Sequence, residues 1–411
     1  MKVGFYLESK KLKKFNWEDI ANDTVALSGT TGQAFRLIYN LEKKTNWEIN
    51  LIDSAPIPDF GKIRTFVAED FSTGVDQAIE NCCDVLVFTL SPIYREEDLE
   101  VMKKANAANL KLIVWSKNQI HVPYLKLFHE LDSVMRIAGP SAVMMNWYRH
   151  KKAFKKMTYM HNALYFNYQD VESIPVRNKQ FVYIGALTED KGFHRLAKVW
   201  PSIVAKVPEA SLIVIGSSKL YDANDEMGPL GITSKRFEEK FIIPYLGETK
   251  SEISQKNVTF LGLQSSNQLA KHIATSVAGI VNPNWDISPE TFCVSAIEIQ
   301  SMAKPIIGGK VGGLVEVSQN GKTSRLVDSH AQLEKAILHF LHNPEVVARM
   351  GVAAKKYVLN KFDKSKITDE WIELIANIDD SKIKKVPITM NDSFVKTAVK
   401  EVIRNFNDVL G

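Results

Sequence analysis

FVYIGALTEDKGFHRLAKVWP, residues 181–201, sets a short apolar run directly before a segment of helical period. The runs SLIVIGS (211–217), NVTFLGL (257–263), VAGIVNP (277–283) and KPIIGGKVGG (304–313) repeat that alternation. The same rhythm fills the start of the chain, where KVGFYL (2–7), INLID (49–53), DVLVFT (84–89) and LKLIVWS (110–116) read as buried strands. Between them lie helical stretches such as GQAFRLIYNLEKK (32–44) and REEDLEVMKKANAA (95–108). In the second, acids occupy the first turns and lysines follow, as a helix dipole prefers. Buried strands separated by helices imply parallel sheets covered on both faces.

The chain therefore reads as two doubly wound α/β domains joined near residue 170, with expected bounds 1–168 and 169–380. The polar stretch YQDVESIPVRNK (168–179), with its one proline, suits an interdomain linker. Residues 218–256 carry Gly, Pro and mixed charge with weak periodicity. Further on, DEWIELIANI (369–378) has helical spacing, and so does DSFVKTAVKEVIRNFNDVL (392–410), which Asp392 or Ser393 could cap. The last segment, 392–411, is expected either to dock back on the first domain or to end as a free tail.

Composition narrows the class. With 411 residues, 45% hydrophobic and 24% charged, the chain is a folded globular protein, not a disordered one. Fifty-two Lys and Arg against 47 Asp and Glu leave a net charge of +5, too little to argue for nucleic acid. MKVGFYLESK lacks the apolar core of a signal peptide, and no apolar run approaches the roughly 18–20 residues of a membrane span. Three cysteines, two of them adjacent (Cys82, Cys83), argue against a disulfide framework and for a cytoplasmic setting.

The chemistry is concentrated in SPETFCVSAIEIQSMAKPIIGGKVGGLVEVSQNGKTSRLV (288–327). Ser288-Pro289 reads as a loop and TFCVSAIEIQSMA as the helix after it. Glu290 and Glu298 would then lie about 12 Å apart along one helix and point to nearly the same side. That spacing suits a ligand with two hydroxylated ends. The amides of Thr291, Phe292, Cys293 and Val294 at the helix start would face a diphosphate between them. Spacing alone fits equally a Glu290 that favours the helix dipole and a Glu298 that is simply solvated.

This segment resembles the donor-site signature of retaining GT-B glycosyltransferases, particularly glycosyltransferase family 4. The residues that carry the likeness are Glu290, Glu298, SMAKPII, GGLVEV and NGKTSRLV, with FVYIGALTEDKG upstream resembling the family's G-R-L-x-x-x-K-G motif. SLIVIG, NVTFLG and VNPN add to it, and the likeness covers roughly 170–375. The resemblance implies a GT-B fold, two Rossmann-like domains facing across a cleft. It implies transfer of a sugar from a nucleotide-diphosphate donor to a saccharide or lipid-linked acceptor with retention, as in bacterial surface polysaccharide synthesis. It places Glu290 at the transferred sugar, Glu298 on the ribose hydroxyls, Lys191 on the diphosphate, and Gly185 and Gly262 along the donor. No cofactor or metal is expected.

The likeness has one departure. Ala186 stands where the family usually has Arg, so Arg195 or Lys310 would have to supply a second cation. A non-catalytic nucleotide-sugar-binding homologue, or an epimerase of similar fold, therefore stays open. In the first domain, SGTTGQAFRLIYNL (28–41) matches the family's Gly-rich loop, with Gly29 and Gly32 as candidates. Lys117-Asn118 occupies the place of a commoner His-Asn, and His121 follows three residues later as a candidate near the reacting sugar. A loop histidine is equally read as structural or solvated.

Competing motifs are absent. The sequence contains no dinucleotide fingerprint after the first strand, no Walker A loop, no Cys/His cluster, no D-x-D pair and no G-x-S-x-G elbow. One charge feature remains: residues 133–169 hold no Asp or Glu but include Arg136, Arg149, Lys151, Lys152, Lys155 and Lys156. This basic, aromatic-laced stretch is expected either to meet an anionic membrane surface peripherally or to be a solvated basic helix.

Overall fold

The computed structural model describes residues 1–9, 16–21, 29–165, 176–177, 179–217, 226–286, 290–380, 384–387 and 399. The described residues form two units. The first takes residues up to 163 together with those from 364 onward, and the second takes 164–363.

The first unit is built on seven parallel strands: β1 (Lys2–Leu7), β2 (Glu48–Asp53), β3 (Ile63–Val67), β4 (Val85–Thr89), β5 (Lys111–Trp115), β6 (Val134–Gly139) and β7 (Met157–Tyr159). Their order across the sheet is β3-β2-β1-β4-β5-β6-β7. The second unit has six parallel strands: β8 (Gln180–Ile184), β9 (Ser211–Ile215), β10 (Val258–Gly262), β11 (Ala278–Val281), β12 (Ile306–Gly309) and β13 (Ser324–Val327). They lie in the order β10-β9-β8-β11-β12-β13. Each sheet thus starts in its middle, winds outward one way, then returns to wind the other way. The reversal leaves a crevice at the carboxyl ends of β1 and β4, and of β8 and β11.

The period-2 geometry of a strand explains why these runs are apolar throughout. Phe181 and Tyr183 of β8 join Leu212 and Val214 of β9 in one core layer. Val182 and Ile215 belong to the opposite layer. Both faces are therefore dry, as parallel sheets require. The helix Phe193–Lys206 covers one face with Phe193, Leu196, Ala197, Trp200 and Ile203, an i, i+3, i+4, i+7, i+10 stripe.

Three features depart from the sequence expectations. The helix Lys364–Ala376 belongs to the first unit, although 364–380 reads as part of the second domain. Its Trp371 is buried edge-on against Trp115 at 4.7 Å, and Asp369 accepts a hydrogen bond from Lys44 at 2.6 Å. Burial of one large indole outweighs sequence proximity to the second unit. Secondly, the basic stretch is not one solvated face. Arg136 and Arg149 are buried and donate to the carbonyls of Asp380 and Val386, and Lys156 donates to the Leu131 carbonyl at 2.7 Å. Of the six, Lys151 and Lys152 are half-buried and Lys155 is exposed, in or next to a short 3-10 turn, Lys152–Lys156. Thirdly, part of 218–256 is helical. Its weak periodicity has a cause in the π-helical turn Glu238–Ile242, which breaks the 3.6-residue repeat. The buried Glu238 carboxylate accepts from the amides of Leu230, Ile232 and Thr233, so this acid is spent on holding a loop. The closing segment 392–410, apart from Val399, Ser288-Pro289 and most of 168–179 lie outside the described residues.

Candidate functional site

The crevice between β8 and β11 brings together loops that are distant in sequence. After β8 the chain makes a short 3-10 turn, Glu189–Lys191, closed by Gly192 at φ 73°. A Cβ on Gly192 would stand 2.8 Å from the Asn284 nitrogen, so glycine is required both for the left-handed backbone and for the approach of the next loop. The Tyr183 hydroxyl fixes the turn from below, donating to the Lys191 carbonyl at 2.8 Å. Lys191 is thereby aimed across the crevice.

Its partner is Glu290. Lys191 Nζ donates to Glu290 Oε2 at 2.8 Å, and Asn282 Nδ2 donates to the same oxygen at 2.9 Å. The lysine side chain is 21% exposed and the glutamate 10%. Burial alone would push the Glu290 carboxyl up. The Lys191 charge and hydrogen bonds from Lys191, Asn282 and the Phe292 amide outweigh it and hold the group below its ordinary range. Glu290 is therefore ionised at neutral pH.

The Gly-rich run after β12 shapes the other side. Gly313 donates its amide to the Glu290 carbonyl at 2.6 Å. A Cβ on Gly312, which lies at φ 56°, would run into that same carbonyl oxygen. GGKVGG thus lets one backbone lie against another.

This packing overturns the expectation of a single helix carrying both acids. The helix spans Val294–Ser301, and Cys293 before it has φ 78°. Glu290, Thr291 and Phe292 lie outside it because Gly312 and Gly313 hold their backbone in place of i to i+4 bonds. Glu298 sits in the second turn, half-buried, so the two acids do not share a helix face. The Phe292 amide is directed at Glu290, and its ring is buried against Phe362 at 5.4 Å. Phe292 is a core residue here. Burial pushes the Cys293 thiol up to about 12, so it is a neutral thiol beside the site.

The remaining candidates fall as follows. Gly185 follows β8 and Gly262 ends β10, with Gly262 at φ 67° and open space where a Cβ would be. Ala186 is buried. Arg195 pairs with Asp286 and lies 3.9 Å over the Trp285 ring, so its charge is already engaged. Lys310 is exposed. Gly29 and Gly32 stand in the first turn of the helix Gly29–Lys44 of the first unit. His121, also in the first unit, is an exposed residue whose Nε2 lies 3.1 Å from the Pro92 carbonyl. Sequence reading missed Asn282, although it lies within VNPN. Its φ is 35°, a left-handed value that Asn tolerates better than most residues, so the asparagine at the end of an apolar run was the signal available in the sequence. Among the described residues no group of three or more His, Cys, Asp or Glu could hold a metal ion. No described helix is long and apolar enough to cross a membrane.

The family "Glycosyl transferases group 1" matches residues 166–357. The capsular polysaccharide biosynthesis glycosyltransferase CapM of Staphylococcus aureus is 27% identical over 201 residues, which is 47% of this chain and 45% of CapM. The chain thus spans about half the length of that relative. Among solved structures, a sucrose-phosphate synthase from Thermosynechococcus elongatus superposes with a TM-score of 0.67 at 15% identity, covering 92% of this chain and 99% of that one. Anabaena HepE, solved in complex with UDP, gives 0.63 at 14% identity, covering 92% and 100%. Both sheets wind in the order 3-2-1-4-5-6, the first with a seventh strand at its edge; with these structural likenesses the chain has the GT-B fold, and its residues 166–357 match the group 1 glycosyl transferases.

Proposed function

We propose that this glycosyltransferase moves a hexose from a nucleotide-diphosphate donor to a saccharide or lipid-linked saccharide, with retention, in the building of a surface polysaccharide. The observation that carries the reading is the Lys191–Glu290 pair at the β8/β11 switch point. An ammonium has three donors, so Lys191 can hold Glu290 and a diphosphate oxygen together. As the glycosidic bond to the diphosphate lengthens, negative charge grows on the leaving oxygen, and a preorganised cation there lowers the barrier. Glu290, kept ionised, orients the sugar hydroxyls and opposes the positive charge that develops on the anomeric carbon. Glu298 would take the ribose hydroxyls. In this reading Lys191 does the work that a metal does elsewhere. HepE, crystallised with UDP and with UDP-glucose, supports a uridine nucleotide as the first donor to try. An anionic leaflet, if the acceptor is lipid-linked, would meet Lys151, Lys152 and Lys155.

The test is a thermal-shift screen against UDP, GDP, ADP and dTDP sugars, followed by an assay of sugar release from whichever donor stabilises the chain. A ligand that binds only the native state raises its stability by mass action. No shift with any nucleotide sugar would overturn the reading. A second reading, a binding homologue without turnover, is favoured by Ala186 together with the engagement of Arg195 by Asp286. Donor binding without release or transfer would decide for it.

A further inference from the structure

The first unit holds a buried amine that nothing above uses. Lys117 follows β5 in the loop at the carboxyl end of the sheet and is only 6% exposed. Its Nζ lies 3.2 Å from the centre of the Trp115 ring. That nitrogen is buried without a hydrogen-bond partner, and the same is true of Trp115 Nε1. Burial disfavours the ammonium strongly, and no carboxylate among the described residues offsets it. An unpaired buried charge is among the costliest features a fold can keep.

The loop that carries the lysine is tightly tethered. The Ser116 amide donates to the Ala138 carbonyl at 2.9 Å, and the Ser116 hydroxyl donates to the Asn118 carbonyl at 2.7 Å. The Ile120 amide donates to the Tyr148 hydroxyl at 2.6 Å. Trp115 is wedged against Trp371. Lys117 and Trp115 are therefore held beside each other by a rigid frame. Ammonium and indole N–H are both donor-only groups, so neither can satisfy the other. Cation and ring face do attract, but that leaves four N–H bonds without acceptors.

We propose that Lys117 and the Trp115 indole form a subsite for an oxyanion, a carboxylate or a phosphate, borne by the saccharide substrate. A negative acceptor group would favour the ammonium form that burial otherwise opposes and would supply the missing hydrogen-bond acceptors. That the anion is carried by a saccharide rests on the glycosyltransferase reading; the subsite itself does not.

The experiment is thermal unfolding of the full chain at constant low ionic strength, titrated separately with glucuronate, glucose 6-phosphate and glucose. Glucuronate, glucose 6-phosphate or both should raise the melting temperature saturably, while glucose does not, and which anion acts identifies the carboxylate or phosphate source. In Lys117→Met the half-saturating concentration should rise at least tenfold, and the unliganded variant should melt no lower than the wild type. Trp115→Phe keeps the ring but removes the N–H, and should weaken the same response several-fold. Equal responses to glucose and its anionic forms, or an undiminished response in Lys117→Met, would overturn the subsite. UDP, GDP, ADP and dTDP sugars are titrated in parallel: a chain that answers to one of them but to neither anion refutes this subsite alone, and a chain that answers to an anion but to none of the nucleotide sugars refutes the donor reading alone.

Discussion

Lys191 Nζ and Glu290 Oε2 are 2.8 Å apart although 99 residues separate them in the chain. Removing one partner leaves the other as an uncompensated, mostly buried charge, which costs about 3 kcal/mol. Lys191→Met should therefore destabilise the second unit by that order, and the double variant Lys191→Met, Glu290→Gln should recover part of it. Thermal unfolding of the three variants checks this. The pH dependence has a definite sign. The folded carboxyl lies below its ordinary value of 4.5, so its stabilisation is full above that value and disappears as pH falls through the folded one. The stability gap between wild type and Glu290→Gln should close on acidification below about pH 4.

Turnover should depend on the same lysine. Lys191→Ala is expected to lower the rate of sugar release by about 100-fold or more, the scale for losing one preorganised charge stabiliser. Ala186→Arg, which restores the commoner residue, should leave activity similar or raise it. Steady-state kinetics on both variants is the check, and full activity in Lys191→Ala would move the role to another cation.

Glu298 is half-buried on the helix Val294–Ser301. If it holds the ribose, Glu298→Ala should weaken nucleotide binding by about 1–3 kcal/mol, the cost of unpaired polar partners. Calorimetry should show this with the fold intact. Unchanged affinity would remove Glu298 from the site.

Two glycines with positive φ should behave differently. Gly312→Ala adds a Cβ into the Glu290 carbonyl oxygen and should cost about 2 kcal/mol or more, with loss of nucleotide binding. Gly262→Ala meets open space and should cost only the backbone strain, about 1 kcal/mol. Melting temperatures of the two variants would order them.

Vesicle sedimentation addresses the basic segment. A lysine near an anionic leaflet contributes about 1 kcal/mol, and salt screens it. Lys151, Lys152 and Lys155 should therefore give weak, salt-sensitive binding to anionic vesicles that is lost when all three are changed to Ser. Sugar release should be unaffected. Equal binding to neutral vesicles would refute an electrostatic attachment.

Much of this architecture was legible in residue order. KVGFYL, INLID, DVLVFT and LKLIVWS coincide with β1, β2, β4 and β5, because strands buried on both faces must be apolar at every position. The strands β3, β6 and β7 were not anticipated. IRTFV and VMRIAG mix charge with apolar residues, and MTY is three residues long. Their assignment comes from pairing with a neighbour and not from their own pattern. The Lys191 and Glu290 candidates were visible as residues within motifs, but their pairing was not.

The local chemistry of the chain by itself determined the alternation of strand and helix, the parallel two-sheet class, and a short set of candidate site residues. Only the tertiary structure decided which of them meet. β8 and β11 are neighbours because the sheet reverses its winding there, and that reversal carries Lys191, Asn282 and Glu290 to one point. Gly312 and Gly313 hold Glu290 out of the helix that sequence spacing assigns it to. The carbonyls of Asp380 and Val386 draw Arg136 and Arg149 out of the basic face. In each case the deciding force acts between backbones or charges far apart in the chain, and its strength depends on burial, which residue order does not encode locally.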